Sequence, residues 1–467
     1  MQLPSTFTRR NFIQAGAAAA LASQMRGSAR AQESPSSTAL PKLARDGGPK
    51  AVRNQPKAKP KWGERDRRQV MEALAQPSLQ FWLGGRTVPN VQTALLIDRF
   101  KQYSSLKYVA TCSSGTAALH VAVAAAGIGV GDEVITTPIQ DMGGVSCILF
   151  QQGVPVFADL EATTYNLDVR SVKQCITART KAIIVVHMAG NPCDLAPLKA
   201  LADKHRLILI EDCAIAWGTK YRGSVAGCWG HVACFSMANG KQIDTGEGGV
   251  VASSDPQIGP ELRKFTDKGY ERDNPASIKE ISRRGSLAHD WMGKVMATNY
   301  RMTELQAALA VGQIERIEEV AAKLDPLGRM LIEEISGLPG IQPPSVRQSD
   351  RCSFSLFYFR LRMDEIRCSR QEFVETLRAE GVPCAGDWMP MPLYKLRYFQ
   401  THSFFAGRWP VKELGLTKMD YTRVKCPEAE AILDTGVFFK LTESMDAPFI
   451  HEVGAAIRKV ATHFRIA

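Results

Sequence analysis

From Tyr108 onward, short apolar runs alternate with segments whose apolar residues recur every three or four positions. Tyr108–Cys112, Glu133–Thr137, Val156–Ala158, Ala182–His187 and Leu207–Glu211 read as strands from their length and β-branched content. Between them, Gly115–Ala126 (closed by Gly127), Gly143–Gln152, Ser171–Ala178 and Leu195–His205 read as helices. Two more strand-like runs, His231–Phe235 and Gly249–Ala252, flank a glycine-punctuated loop. This alternation predicts an α/β fold: βαβ units and a mostly parallel sheet covered on both faces. Such sheets bind ligands beyond the carboxyl ends of their strands, where Thr116, His187 and Asp212 fall.

Either side of this core the pattern differs. Arg65–Ala75 and Val91–Tyr103 have helical spacing, and Gln32 to about Pro60 is a Pro- and Lys-rich linker or arm. Gln257–Asp290 is polar and is expected to be a mobile loop or lid. Thr303–Leu324 reads as one long amphipathic helix, with Leu305, Ala308, Leu309, Ile314 and Ile317 on one side. After a turn-rich joint at Pro339–Asp350, Phe354–Met363 alternates like a strand. Arg370–Glu380 and Ile450–Phe464 read as helices. The expected organisation is an arm and linker over 32–92, a large domain over 93–325 and a smaller α+β domain over 326–467.

The first 31 residues read as an address. Thr8-Arg-Arg-Asn-Phe12 is a twin-arginine pattern, an alanine-rich run follows to Ala22, and Ser28-Ala-Arg-Ala31 offers small residues for cleavage. The expectation is export of an already folded protein, with a periplasmic destination. No later run is long and apolar enough to span a bilayer. The net charge of +11 is spread along the chain, not gathered in basic runs with interleaved aromatics. It therefore favours anionic ligands over a nucleic-acid footprint. The 11 cysteines lack CxxC spacing, so neither a zinc site nor a disulfide scaffold is expected, although one bridge stays open.

Three stretches carry candidate chemistry. Ser113-Ser-Gly-Thr116 lies between a strand and a helix start, where free N–H groups and the helix dipole favour an anion. Gly115 permits close approach and Thr116 adds a hydroxyl, although Ser114 and Thr116 also suit plain helix caps. Asp212 ends the apolar run Leu207–Ile210, where a buried carboxylate needs a cationic partner. Lys241 sits in the loop Met237–Gly248, close to Ser236. A phosphate cradle, a buried carboxylate and an amine are what a protein supplies to pyridoxal 5'-phosphate. The carboxylate keeps the ring nitrogen protonated and the amine forms a Schiff base.

The order of the segments at 113–119, 127–138, 155–168, 180–194, 207–214, 230–236, 240–249 and 299–309 resembles the DegT/DnrJ/EryC1/StrS family of pyridoxal-phosphate aminotransferases. Arg45-Asp-Gly-Gly-Pro-Lys50 and Cys426-Pro-Glu-Ala-Glu430 fit as well. The resemblance implies a fold type I homodimer with shared active sites, acting on keto-sugars or cyclitols with an amino donor such as glutamate or glutamine. It implies that Lys241 is the Schiff-base lysine and Asp212 the partner of the pyridine nitrogen. Gly115, Thr116 and Ser236 match phosphate ligands, and Asn299 matches an asparagine that reaches the neighbouring subunit's phosphate. Two departures stand out. Ile215 and Trp217 replace the usual Gln and His after the aspartate. The Thr137-Pro-Ile-Gln-Asp-Met142 turn lacks the usual aromatic over the ring, leaving Met142 as the nearest candidate for that face. Two alternatives are a sugar dehydratase, whose family pattern puts His where Lys241 stands, and an exported cofactor-binding protein with a binding or regulatory role and no turnover.

The address reading is testable. Replacing Arg9 and Arg10 by Lys is expected to retain the protein in the cytoplasm, still coloured by its cofactor. Cell fractionation checks this, and unchanged export of the variant would refute it.

Overall fold

In a strand, successive side chains leave on opposite faces. The buried strands of this chain show it directly. Ile183 and Val185 join one hydrophobic cluster and Ile184 another. Likewise Cys234 and Val251 lie in the cluster of Ile184, whereas Phe235, Val250 and Ala252 lie in a third. The strands are thus apolar on both sides because helices cover both sides. The computed structural model describes residues 42–57, 62–79, 91–270 and 295–466, and residues 41–467 form one compact unit.

The main sheet has seven strands: β1 Tyr108–Cys112, β2 Glu133–Thr136, β3 Val154–Phe157, β4 Thr180–Val186, β5 Ile208–Asp212, β8 Val232–Ser236 and β9 Gly249–Ser253. Their order is β1-β9-β8-β5-β4-β2-β3. β9 is antiparallel to both its neighbours, and the pairings from β8 through β5, β4 and β2 to β3 are all parallel. The fold is the expected mostly parallel α/β architecture. A small hairpin, β6 Lys220–Tyr221 and β7 Ser224–Val225, lies between β5 and β8 in sequence. Helix α3, Gly115–Ala125, covers the face carrying Ile184, Ile210, Cys234 and Val251. Near β8 and β9 the other face is covered by α2, Val91–Ser104, and by the helix Glu304–Ile314, through Leu96, Phe100, Ala307 and Val311.

Three sequence expectations change. The single helix over Thr303–Leu324 is two helices, α8 Glu304–Ile314 and α9 Ile317–Ile335. At the break Arg316 leaves helical geometry (φ −108°, ψ 1°) and its guanidinium forks onto Glu443 at 2.8 and 2.9 Å. Glu315 faces Arg65 and Arg99. Tertiary ion pairs pull the adjoining residues apart where the apolar pattern runs on. The polar stretch at Gln257–Asp290 contains a helix, α7 Gly259–Thr266, anchored by Ile258, Leu262 and the partly buried Phe265; residues 271–290 lie outside the described residues. The strand at Phe354–Met363 shrinks to β11, Phe357–Leu361, because Phe354 turns at φ 41°.

β11 is central in a three-stranded antiparallel sheet with β10 Ile341–Gln342 and β12 Gly436–Phe439. The helices Arg370–Ala379 and Ala447–Phe464 pack against it, as do Leu43 and Val52 from the N-terminal arm. The sequence boundary at 325/326 falls inside α9. Leu393, Tyr394, Phe399, Trp409 and Tyr421 share the core of the large sheet. Among the described residues no helix is long and apolar enough to cross a membrane.

Buried glutamates act as clasps. Glu380 accepts the Ala44 and Ala51 N–H groups and meets Lys459, which fixes the arm. Glu304 accepts from the Gln92 and Thr93 N–H groups at the head of α2. Glu211, wholly buried on β5, accepts from Gly227 N at 2.7 Å, Trp229 N at 2.8 Å, Gly230 N and His187 Nε2 at 3.0 Å. A buried donor stripped of its acceptor costs about 1–3 kcal/mol. Glu211→Ala is therefore expected to lose on the order of 3 kcal/mol or more in urea unfolding. Glu318→Ala, which breaks half-exposed pairs to Lys220 and Arg351, is expected to lose about 1 kcal/mol or less. Equal losses would contradict the clasp.

Candidate active site

Alternation along β5 separates its two terminal carboxylates. Glu211 shares its face with Leu209, and Asp212 emerges on the face of Ile210, beneath α3. On β8 the same rule brings Ser236 up beside Cys234 on that face. The N-terminus of α3 lies directly over them. A β-carbon added at Gly115 would stand 2.6 Å from Ser236 Cβ, and one at Gly249 would stand 2.3 Å from the Ser114 carbonyl oxygen. The close seating of helix end on strand end therefore requires both glycines. Ser114 caps the helix, its hydroxyl accepting from Ala117 N at 3.1 Å. Thr116 does not cap; it is exposed, with its Oγ1 turned to the Gly143 backbone.

Asp212 is 7% exposed and accepts one N–H, from Ala214 at 2.9 Å. Burial pushes its pKa up; the Ala214 N–H and the charge of Lys241 pull it down, and Asp141 adds to the rise. This is a buried carboxylate whose ionised form a cation would stabilise. His187 closes the floor. Its Nδ1 accepts from Cys193 N at 3.1 Å, which leaves the proton on Nε2, donated to Glu211. His187, Glu211 and Cys213 stand close enough together to suggest a metal site. The four donors on Glu211 already use its oxygens, so the cluster is closed by its own hydrogen bonds.

Lys241 is half-buried in the β8–β9 loop. The loop is shaped by Asp244, a residue the sequence reading passed over. Its carboxylate accepts from Gly240 N at 2.6 Å and Gly246 N at 2.9 Å. Its backbone is gripped by Gln313 of α8, through Asp244 N to Oε1 and Nε2 to Asp244 O, both 2.8 Å. Lys241 stands between Asp212, which feels its charge, and a cleft of about 250 Å³ lined also by Gln242, Arg316, Lys440, Thr442 and Ser444. Gln242 ties this loop to the segment after β5, donating to the Ile215 carbonyl at 3.2 Å and to Ser353 Oγ at 3.0 Å. Trp217 is wholly buried and donates from Nε1 to the Ser236 carbonyl at 2.8 Å. It supports the strand end that carries Ser236.

The structure thus gathers Gly115, Thr116, Asp212, Ser236 and Lys241 at one end of the sheet. Met142 heads helix α4, Gly143–Phe150, with 37% of its surface exposed and Tyr398 Oη 2.9 Å from its sulfur. The residue beside it, Asp141, is also exposed and is the one whose charge reaches Asp212. Asn299 precedes Tyr300, whose carbonyl accepts the Ser113 N–H at 2.7 Å, just before the start of α3. It is exposed, bridges to Asp267, and accepts the Arg301 N–H at 3.2 Å. Asp141, Asp244, Gln242 and Gln313 were not singled out from sequence. The acid in the Thr137–Met142 turn and the Gln313 position on α8 were the available signals.

These residues fit pyridoxal phosphate. The glycine-backed helix end suits a phosphate, the buried Asp212 suits a protonated ring nitrogen, and Lys241 offers a primary amine within electrostatic reach of that carboxylate.

Comparison with known proteins agrees with this geometry. The model of the DegT/DnrJ/EryC1/StrS aminotransferase family matches residues 89–458. GDP-perosamine synthase from Caulobacter vibrioides is 32% identical, over 62% of this chain and 75% of that protein. A putative L-glutamine:3-amino-2,3-dideoxy-scyllo-inosose aminotransferase from Micromonospora echinospora is 29% identical, over 75% of this chain and 81% of that protein. The X-ray structure of the aminotransferase from Psychrobacter cryohalolentis superposes with a TM-score of 0.74 at 26% identity, covering 88% of this chain and all of that one. With a family match across most of its length, the chain belongs to the DegT/DnrJ/EryC1/StrS aminotransferase family.

Proposed function

We propose that this protein transfers an amino group from an amino-acid donor, glutamate or glutamine, to a keto-sugar or keto-cyclitol, with pyridoxal phosphate as cofactor. The observation that carries this reading is the convergence of Lys241, Asp212 and the Gly115–Ser236 contact at one end of the sheet. The named activities of the sugar- and cyclitol-directed relatives point the same way. The enzyme is an aminotransferase. The dehydratase reading calls for His in the lysine's place, and the loop holds Lys241.

Each residue has a distinct task. The N–H groups at the start of α3, with Thr116 and Ser236, bind the phosphate. Asp212 holds a proton on the ring nitrogen. Bound, the cofactor supplies a carbonyl that condenses with amines and a ring that withdraws electrons. Lys241 Nζ provides the covalent attachment and, when free, takes and returns the substrate proton. Asp244 and Gln313 keep the loop in shape so that Nζ faces Asp212 and not bulk water. Asn299 serves the phosphate of a partner subunit in a homodimer. Its exposure suits that task. The twin-arginine segment directs the loaded enzyme out of the cytoplasm.

Borohydride reduction of the coloured protein, followed by peptide mass spectrometry, is expected to fix the cofactor on Lys241. Lys241→Ala is expected to retain some cofactor and to lose transamination by at least about 10²–10⁴-fold. Reduced cofactor on another lysine, such as Lys181 or Lys220, would overturn the assignment. For the shared site, a heterodimer of one Lys241→Ala subunit and one Asn299→Ala subunit keeps one intact site and is expected to recover about half of the wild-type rate. A monomer that binds cofactor normally would contradict the dimer.

A further inference from the structure

We propose that Tyr300 and His120 are positioning residues for the cofactor's phosphate: together they clamp helix α3, so that the N–H groups at its head stay aimed at that phosphate. This rests on the pyridoxal-phosphate reading of the same site.

Only Ser113 and Ser114 link the end of β1 to the start of α3. Ser113 is held from outside the helix, its N–H donating to the Tyr300 carbonyl at 2.7 Å. Ser114 accepts from Ala117 N with its hydroxyl and from Ala118 N with its carbonyl. In the first turn that leaves the N–H groups of Gly115 and Thr116 to face a ligand. A cradle with so few donors depends on where its backbone is set.

Tyr300 is fixed at three points. Its N–H donates to the Thr266 carbonyl, at the end of α7, at 2.9 Å. Its carbonyl takes the Ser113 N–H. Its phenol oxygen lies 2.7 Å from Nδ1 of His120, which stands on α3 itself. The two rings also meet edge to face, with centroids 5.7 Å apart. Burial lowers the His120 pKa, so the ring is neutral at neutral pH and can accept the phenol proton. His120 is braced in turn by the Gln151 amide, 2.9 Å from its Nε2, just past the end of α4. Tyr300 thus grips α3 twice, at the residue before its cap and further along its body. On the sheet side, Gly115 and Gly249 set how closely the helix end sits on β8 and β9. The Tyr300 clamp sets how far it can swing away.

The test uses the full-length protein freed of cofactor by dialysis. Calorimetric titration gives the affinity for pyridoxamine phosphate, and displacement gives those for inorganic phosphate and for pyridoxamine. Tyr300→Phe and His120→Leu are each expected to weaken pyridoxamine phosphate and inorganic phosphate about three- to tenfold, the effect of one hydrogen bond. Pyridoxamine, which lacks the phosphate, is expected to bind as before. His120→Asn keeps a hydrogen-bonding atom near the place of Nδ1 and is expected to restore most of the loss. In an Asn299→Ala background the loss is expected to persist, because the clamp acts on α3 of its own chain. Unchanged phosphate affinity in the two variants, or pyridoxamine weakened as much as phosphate, would overturn the proposal. So would no recovery in His120→Asn, or a loss that vanishes in the Asn299→Ala background. Failure of the cofactor reading shows separately, as wild type that binds no pyridoxamine phosphate, and it takes the proposal with it.

Discussion

The site depends on the cost of burying charge at the end of β5. Two carboxylates stand side by side there, and strand alternation sends them to opposite faces. Glu211 meets the cost inside the protein, through three backbone N–H groups and a histidine. Asp212 has one N–H. It is left with an unmet demand that Lys241 relieves only in part, since burial still raises its pKa. The folded chain thus presents a buried acid that favours a cation at a fixed place. In the proposed function a protonated pyridine ring would supply that cation, and the linkage would run both ways: the ring would keep Asp212 ionised and Asp212 would keep the ring protonated.

The rest of the site is arranged around that acid by close approach of backbones. Gly115 and Gly249 let α3 settle onto the ends of β8 and β9, so its N-terminal dipole points at the same space that Asp212 faces. Trp217, standing where the family tends to place a polar residue, is spent on Ser236's carbonyl. Ile215 offers only its own carbonyl, which Gln242 takes. Both departures thus become supports of neighbouring segments.

Much of this was legible in the sequence. The strands were visible because both faces are buried and their residues are β-branched. Asp212 and Ser236 were visible as polar residues ending apolar strands, and Thr116 and Lys241 as polar residues directly after glycines. What the sequence concealed depends on distant partners. The break before α9 interrupts a continuous apolar stripe and is set by Arg316 reaching Glu443 across the fold. Helix α7 hid in a polar run because Ile258, Leu262 and Phe265 suffice to hold it. Asp244 looked like one more loop acid until Gln313 came beside it. Met142 drew notice as the nearest apolar replacement for an aromatic, and the structure sets Tyr398 Oη against its sulfur.

The central claim is that Asp212 holds a proton on the cofactor's ring nitrogen. It is tested most directly by the nitrogen-15 chemical shift of ring-labelled pyridoxal phosphate bound to the protein. The account predicts a protonated nitrogen in the wild type from neutral to mildly alkaline pH, and loss of that proton in Asp212→Asn. An unprotonated nitrogen in the wild type, or a protonated one that persists in Asp212→Asn, would contradict it.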